Sequence, residues 1–280
     1  MEEVARRQRS RFNFRASLSI PFFVFMVFFV VVPLFLIVYF SLTDDQGHFY
    51  FDNWRLIFTA GDKWKTIGLT FEIAILTTII CILIAYPIAF ILSNKKFNKN
   101  RILVYFFVLP MWVNFVVRTM ALRDMVNEMF ENLFNFQLTA KYPVAGTVVG
   151  MVYDYLPFAI LPLYNQMLKM DKNQIEAAAD LGANPFIVFF KVILPMTVPG
   201  IISAATMTFM PTMSSYVVAE QMGNGKVSII GTLIESYVNT IHDKNAASIL
   251  SLVMLFIIGI SLVVEKFFTK KDEDRKVGIW

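Results

Sequence analysis

Histidine and cysteine are scarce in this 280-residue sequence. The only cysteine is Cys81, and the only histidines, His48 and His242, lie far apart in polar segments. One cysteine excludes an intrachain disulfide and supplies too few thiolates for a zinc or iron–sulfur site. Two distant histidines poorly supply a metal site or Ser–His catalysis, so we expect no metal site. Cys81 lies in an apolar run, where cysteine usually serves as a small hydrophobic residue.

Charged residues are also few. They make up 16% of the sequence, against 57% hydrophobic residues, and the mean hydropathy is +0.60. Soluble domains average about 45–50% apolar residues, so the excess indicates residues that face lipid. The sequence contains no Gly-x-x-x-x-Gly-Lys phosphate loop, and without it the chain cannot hydrolyse ATP by that route. We therefore predict a polytopic membrane protein, surrounded by lipid, that is not an enzyme and binds no nucleic acid.

Six apolar runs predict an all-α bundle of six transmembrane helices. A spanning helix needs about 20 mainly apolar residues. The approximate bounds of the runs are 16–42, 67–92, 102–117, 143–166, 196–218 and 246–268. The first run is longer than the apolar core of a cleavable signal peptide, about 7–15 residues, so we interpret it as retained.

The segments between the runs are mostly polar. We expect a polar loop over 43–66 and a short amphipathic piece near 229–238. Apolar residues recur at helical spacing within 118–142, with charged residues between them. This pattern predicts an amphipathic helix on the outer surface or against the bundle.

The distribution of lysine and arginine predicts the orientation. Of the 25 basic residues, 17 lie in four segments, namely residues 1–15, the 93–101 loop, the 166–195 loop and the stretch from 265 onward. Basic loops tend to remain in the cytoplasm. Both termini are therefore predicted to be cytoplasmic. The chain divides into a cytoplasmic segment, a transmembrane domain over 16–268 and a cytoplasmic tail over 269–280.

A polar island between the fourth and fifth runs has the pattern of helix, turn, helix. Asp171 or Asn173 is placed to cap a first helix, and Gly182 is suited to end it in the left-handed backbone region. Asn184 precedes a proline and can begin a second short helix, which we expect Pro195 to end. A loop that only connected two spans would not need this local structure.

This island resembles the coupling loop of ABC importer permeases, a cytoplasmic segment over 171–195. The family pattern is Glu-Ala-Ala, three residues, Gly, nine residues, then aliphatic-x-Leu-Pro. It is matched at Glu176, Ala177, Ala178, Gly182, Val192, Leu194 and Pro195, with valine at 192 where isoleucine is commoner. The resemblance implies that the loop docks in a groove of a cytoplasmic ATPase subunit. The alternative is an ordinary interfacial helix-turn-helix.

Small side chains suit such docking. The resemblance assigns coupling roles to Glu176, Ala177, Ala178, Asp180, Gly182, Leu194 and Pro195. The alanines and the glycine would let another backbone approach closely, and Glu176 can pair with a basic residue of the groove.

Motifs outside the loop are similar to those of spermidine/putrescine importer permeases of the PotB type. They are 109–114 followed by Arg118, then 150–153, 156–158, 161–164 and 222–223, within a likeness that covers about 17–268. The resemblance implies a subunit that moves polyamines into the cytoplasm across a bacterial plasma (inner) membrane. It also implies a second, PotC-like permease, two copies of a PotA-like ATPase and an extracytoplasmic PotD-like binding protein. This chain would bind no cofactor, with ATP and Mg at the partner ATPase.

Asp154 is the candidate that suits a polyamine path best. A polyamine is a flexible polycation, so its path should offer carboxylates and aromatic faces. Asp154 lies within the fourth run beside Tyr153, and we interpret both as path residues. The alternative is a structural pair with Arg118 or with a polar residue of the partner subunit. Related permeases often carry an apolar residue at this position.

Three further residues are path candidates, each with an alternative. Glu72 lies near the outer end of the second run and can attract cations, or it is an interfacial carboxylate in water. Trp112 can stack on an ammonium group, or it packs on lipid or neighbouring helices. Glu220 follows the fifth run and can contact the substrate gate or the binding protein, or it is a solvated loop residue.

Other functions are open at this point. A related ABC importer for another small solute would carry the same coupling loop. An ion-coupled secondary transporter would suit the carboxylates within the spans but would leave the loop unexplained. An intramembrane enzyme is disfavoured because the spans contain no histidine and no paired-aspartate motif.

Overall fold

The computed structural model describes residues 19–44, 46–59, 61–94 and 102–277, without the side chains of 53, 56–58, 62 and 268–277. The predicted N-terminal segment 1–15 and most of the basic 93–101 loop lie outside the described residues. The side chains of the predicted tail also lie outside them.

Helices account for nearly all of the described chain. In chain order they are α1 Ile20–Leu42, α2 Asp52–Thr59, α3 Gly61–Ser93, α4 Leu103–Trp112, α5 Phe115–Phe134, α6 Leu138–Lys141, α7 Pro143–Leu168, α8 Lys172–Asp180, α9 Pro185–Ser214, α10 Tyr216–Met222, α11 Ile230–Asn239 and α12 Lys244–Val277. Five of the described helices, α1, α3, α7, α9 and α12, are long and apolar enough to cross a membrane, and the number is six if the bent pair α4 and α5 counts as one span. The predicted all-α membrane bundle is confirmed.

The bundle has two ends, which the alternating direction of the spans defines. We call the end that holds α8 the loop end. The opposite end, which holds α2, α10 and α11, we call the far end. The bounds of α11 differ by one residue at each end from those of the amphipathic piece predicted at 229–238.

The segment 43–66 is not the polar loop that the sequence predicted. It contains α2, and α3 begins at Gly61, six residues before the predicted start of the second span. The indole Nε1 of Trp54 donates a hydrogen bond to the carbonyl of Ser41, 2.9 Å away. Trp54 also packs against the buried cluster of Ala246, Ile249 and Leu250 on α12, as residues of α11 do. These tertiary contacts hold α2 against the bundle, which the polarity of the segment does not reveal.

Small residues bring the three central spans together. Cys81, Ala85 and Ala89 of α3 are fully buried against Ala159 of α7 and Ala204 of α9. Without a hydrophobic driving force in lipid, helices associate by close packing, which small side chains allow. The predicted role of Cys81 as a small hydrophobic residue is confirmed.

Pro195 does not end a helix, contrary to the prediction. The chain continues from Pro185 to Ser214 as α9, through a π-helical turn at Phe189–Ile193. Proline lacks the N–H of a normal helical bond and its ring crowds the carbonyl four residues earlier. A wider turn with one extra residue directly before Pro195 accommodates both effects, so the second helix of the loop merges with the fifth span.

The third span is broken, and the predicted helix over 102–117 is wrong. α4 and α5 differ in direction by 102°, with Val113 and Asn114 extended between them. The side chain of Asn114 accepts hydrogen bonds from the amides of Val116 and Val117, at 3.0 and 3.3 Å. This N-cap begins a new helix, which covers residues 118–134 of the amphipathic segment predicted over 118–142.

The fifth span also ends earlier than predicted. α9 stops at Ser214, and Ser215 leaves helical geometry before α10 begins. α10 lies on α7 because the glycines of α7 leave room for it. A Cβ added at Gly146 would lie 2.7 Å from the carbonyl oxygen of Met222.

We expect Gly146→Ala to lower the free energy of unfolding by about 1–3 kcal/mol, since overpacking forces the backbone apart. Gly259→Ala is the matched control because a Cβ there meets no atom within 4 Å, and alanine is favoured over glycine inside a helix by roughly 0.5–1 kcal/mol. SDS titration in mixed micelles measures both. Equal unfolding midpoints for the two variants would show that α10 is not seated on α7.

Candidate functional site

A buried ion pair joins the broken third span to the fourth span. Asp154 of α7 is 1% exposed. The Nη2 and Nε atoms of Arg118, on α5, lie 2.7 and 2.9 Å from its Oδ1 atom. The hydroxyl of Thr119 donates to Oδ2 at 2.9 Å. Both carboxylate oxygens are therefore paired with donors from α5.

Arg118 also holds the break itself. Its Nη1 donates to the carbonyl oxygen of Pro110 at 2.8 Å, at the end of α4. The guanidinium carbon lies 5.6 Å from the ring centroid of Tyr153 and 5.8 Å from that of Phe115. One side chain thus contacts α4, α5 and α7, and it shares the carbonyl of Pro110 with the amide of Val113, which lies 3.3 Å from the same oxygen. We call Arg118, Asp154, Thr119 and the carbonyl of Pro110 the bend cluster.

The bend cluster contains one of the two alternatives for Asp154. The structural pair with Arg118 is confirmed. The carboxylate is not exposed to an open path, because the donors of α5 cover it. A role for Asp154 in cation transport stays a prediction, and it would require the pair to open.

Two aromatic path candidates lie beside the bend cluster. Trp112 is the last residue of α4 and its side chain is 83% exposed. Tyr153 is 42% exposed and presents its ring to Arg118. The break therefore leaves both rings accessible near the middle of the chain's third and fourth spans.

The two acidic candidates lie elsewhere. Glu72 is exposed on α3 and Glu220 is exposed on α10. Neither carboxylate is joined to the bend cluster by a hydrogen bond or ion pair within the described part of the chain. The path candidates therefore form one group around Arg118 and two separate carboxylates.

The helix-turn-helix at the loop end has the predicted caps. Asp171 accepts from the amide of Asn173 at 3.0 Å and begins α8. Gly182 follows with φ +81°, and the amides of Gly182 and Ala183 close the end of α8 on the carbonyls of α8 residues. Asn184 then accepts from the amide of Ile187 at 2.8 Å and begins α9. The predicted helix starts at Asp171 and Asn184 and the predicted helix end at Gly182 are confirmed; the predicted end at Pro195 is not.

The tip of this loop is apolar and exposed. Leu181 is 89% exposed and Phe186 is 77% exposed, on the two sides of Gly182. A Cβ added at Gly182 would meet no atom within 4 Å, so the glycine is required by its backbone conformation and not by crowding. Large apolar side chains that are exposed together at a surface are typical of an interaction site.

The loop also contacts the body of the bundle. Glu176 and Lys172 line a cavity of about 220 Å³ together with Phe90 of α3 and Met167 of α7. Ala177, Asp180 and Pro195 are exposed, whereas Ala178 and Leu194 are half-buried. One side of α8 is therefore turned to the ends of the spans, and the tip is turned away from them.

Sequence reasoning missed Thr119 and the carbonyl of Pro110. Thr119 lies within an amphipathic pattern and gives no distinct signal. The available signal was the pair of opposite charges in apolar surroundings, Arg118 and Asp154, since a charge within a span usually needs a partner. No cluster of His, Cys, Asp or Glu that could hold a metal occurs among the described residues.

The membrane-length helices, the one broken helix pair and the structured, exposed loop at one end define a polytopic membrane protein with an interaction site outside its spans. The family model for binding-protein-dependent transport system inner membrane components matches residues 82–269. The sequence is 35% identical over 233 residues to the spermidine/putrescine transport system permease protein PotB of Haemophilus influenzae, covering 76% of this chain and 79% of that one. The chain belongs to this family of inner membrane components, as a PotB-type ABC permease.

Other relatives and solved structures agree with this family. Escherichia coli PotB is 28% identical over 256 residues, covering 85% of this chain and 92% of that one. A bacterial ABC transporter that imports the acidic polysaccharide alginate shares the fold, with a TM-score of 0.74 at 15% identity over 96% of this chain and 98% of that one. The chain is thus a permease subunit of an ABC importer and a multi-pass protein of the bacterial inner membrane.

Proposed function

We propose that this chain is the transmembrane permease subunit of an ATP-driven importer that moves spermidine and putrescine into the cytoplasm. The observation that carries the substrate assignment is the 35% identity, over most of both chains, to a permease named for spermidine and putrescine. The complex would also contain a second, PotC-like permease, two PotA-like ATPase subunits and a PotD-like binding protein on the extracytoplasmic side.

The loop end is the proposed site of energy coupling. We place it in the cytoplasm, where ATP is available, and the far end on the extracytoplasmic side. The exposed apolar side chains of Leu181 and Phe186 at the tip of the loop support the proposal that the loop docks onto a soluble partner. This chain binds no cofactor, and ATP with Mg binds to the partner ATPase. Closure of the ATPase dimer on ATP pulls the loop and shifts the spans from inward-open to outward-open.

The proposed path offers separated aromatic and acidic contacts. The exposed rings of Trp112 and Tyr153 can stack on ammonium groups, which are attracted to aromatic faces within about 6 Å. Glu72 and Glu220 are exposed carboxylates that can draw a polycation toward them. Asp154 holds Arg118 against the ring of Tyr153. The carboxylate of Asp154 becomes available to a cation only when its ion pair with Arg118 opens.

Reconstitution of the whole complex tests the proposed function. The ATPase rate is measured in proteoliposomes while binding protein loaded with spermidine is titrated. We expect stimulation by the spermidine-loaded protein and uptake of labelled spermidine that depends on ATP.

Two results would contradict this proposal in different ways. Stimulation only by another solute would keep the importer and reject the polyamine assignment. Uptake by the purified chain in vesicles without ATP would indicate an ion-coupled secondary transporter.

A further inference from the structure

The guanidinium of Arg118 lies in a shell of groups that bind cations in general. The carboxylate of Asp154 faces it at 2.7 and 2.9 Å, and the carbonyl oxygen of Pro110 lies 2.8 Å away. The rings of Tyr153 and Phe115 lie 5.6 and 5.8 Å from the guanidinium carbon, within the about 6 Å over which a ring attracts a cation. An alkylammonium group donates to the same oxygens and is attracted to the same rings, so the shell is not specific for a guanidinium.

The shell is closed in this structure. The side chains of Arg118 and Asp154 are 9% and 0% exposed, and the hydroxyl of Thr119 bonds the second carboxylate oxygen. A carboxylate within a span is disfavoured unless a positive charge or donors compensate it. Asp154 therefore requires one cationic group beside it, and in this structure that group is Arg118.

The shell borders groups that are accessible from outside the chain. Tyr153, whose ring contacts the guanidinium, is 42% exposed, and Trp112 at the end of α4 is 83% exposed. Val113 and Asn114, which form the break, are also exposed. A cation on the ring of Tyr153 therefore lies directly beside the group that occupies the shell.

We propose that the bend cluster is a binding site for an alkylammonium group of a polyamine, which Arg118 fills in this structure as a tethered competitor. This inference rests on the proposed function, because it takes the substrate to be a polyamine. A group on a short flexible tether acts at an effective concentration of about millimolar or more, so free polyamine at lower concentrations does not displace it. The contact closes the site until the break between α4 and α5 rearranges and withdraws Arg118.

Binding of labelled spermidine to the purified, complete complex, without ATP and without the binding protein, tests the site. Arg118→Ala removes the competitor and keeps the carboxylate. It should bind at least about tenfold more spermidine than the wild type at one low ligand concentration, a change of about 1.4 kcal/mol. Arg118→Met with Asp154→Leu removes both charges and should bind as little as the wild type. Arg123→Ala is the matched control, because it opens the exposed pair with Asp124 and should also bind as the wild type does.

Arg118→Lys covers the case in which Arg118→Ala does not fold. Lysine places a tethered ammonium group at this position, whereas Arg118→Met has a side chain without charge. If the cluster accepts an ammonium group, the SDS unfolding midpoint of Arg118→Lys should lie closer to that of the wild type than to that of Arg118→Met. Equal midpoints for the lysine and methionine variants would show that the cluster rejects an ammonium group, and would overturn the site.

The binding outcomes separate this inference from the proposed function. Equal spermidine binding by the wild type and Arg118→Ala would overturn the site. Binding by the double variant at the level of Arg118→Ala would also overturn it, since Asp154 would not be the ligand. Both results leave the importer in place if the wild-type complex takes up spermidine with ATP. Propylammonium resembles one end of spermidine, and its binding to Arg118→Ala in a complex that does not transport spermidine would keep the ammonium site and reject the polyamine importer alone.

Discussion

Asp154→Leu is expected to lower the free energy of unfolding by about 3 kcal/mol. The side chains of Arg118 and Asp154 are 9% and 0% exposed, so removal of the carboxylate leaves a buried guanidinium without a counter-charge. Breaking a buried ion pair in this way costs about 3–5 kcal/mol, and an unpaired arginine within a bilayer about 2.5–3.5 kcal/mol on insertion scales. SDS titration in mixed micelles measures the loss.

The double variant Arg118→Met with Asp154→Leu should regain most of this loss. Apolar side chains of similar volume often replace a buried pair without destabilisation. The regain would be incomplete, since the carbonyl of Pro110 and the hydroxyl of Thr119 each lose one of two hydrogen bonds and keep only those with the amide of Val113 and the carbonyl of Phe115.

Another Arg–Asp pair in the same chain provides the control. Arg123 and Asp124 are separated by 2.8 Å, with side chains 32% and 68% exposed. Exposed pairs contribute about 0–1 kcal/mol, so Asp124→Leu should change stability little. If Asp154→Leu is no more destabilising than Asp124→Leu, the bend cluster is not structural, and Asp154 returns as a path residue.

The spans could be predicted from sequence because hydropathy measures the property that the membrane selects. The predicted fourth span, 143–166, differs from α7 by two residues. The helix caps could also be predicted from the sequence, since the side chains of Asp171 and Asn184 each accept a hydrogen bond from a backbone amide two or three residues onward. Signals of this kind act within one turn of helix and depend little on the rest of the fold.

The breaks could not be predicted in this way, and of the bend cluster only the pair of Arg118 with Asp154 was among the alternatives that the sequence offered. Arg118 stabilises the bend near Asn114 because it bonds the carbonyl of Pro110 across the break and is itself neutralised by Asp154. That compensation comes from a residue 36 positions away from Arg118, and no local pattern specifies it. The π-helical turn before Pro195 could not be predicted either. It forms because the helix continues through Pro195 into the fifth span, whereas a proline by itself predicts the end of a helix.

Gly182→Trp should abolish co-purification of the ATPase subunit and reduce spermidine-stimulated ATPase activity by at least about tenfold, a change of about 1.4 kcal/mol in coupling. The substitution forces an L-residue into φ +81° and adds bulk between Leu181 and Phe186. If these exposed side chains enter a groove of the ATPase, the indole blocks it. Phe186→Ala should weaken the same contact, because apolar anchors in a pocket commonly contribute about 2 kcal/mol or more.

Gly225→Trp separates docking from backbone strain. Gly225 also has a left-handed φ, +68°, and also has open space around its absent Cβ, but it lies at the far end. Both variants therefore introduce similar local strain of about 1–3 kcal/mol. Only the loop-end variant places the indole where we propose the ATPase binds, so Gly225→Trp should retain the ATPase subunit. Equal loss from both glycines would mean that strain explains the effect. Normal coupling in Gly182→Trp would mean that the 171–195 loop is not where the energy of ATP enters this chain.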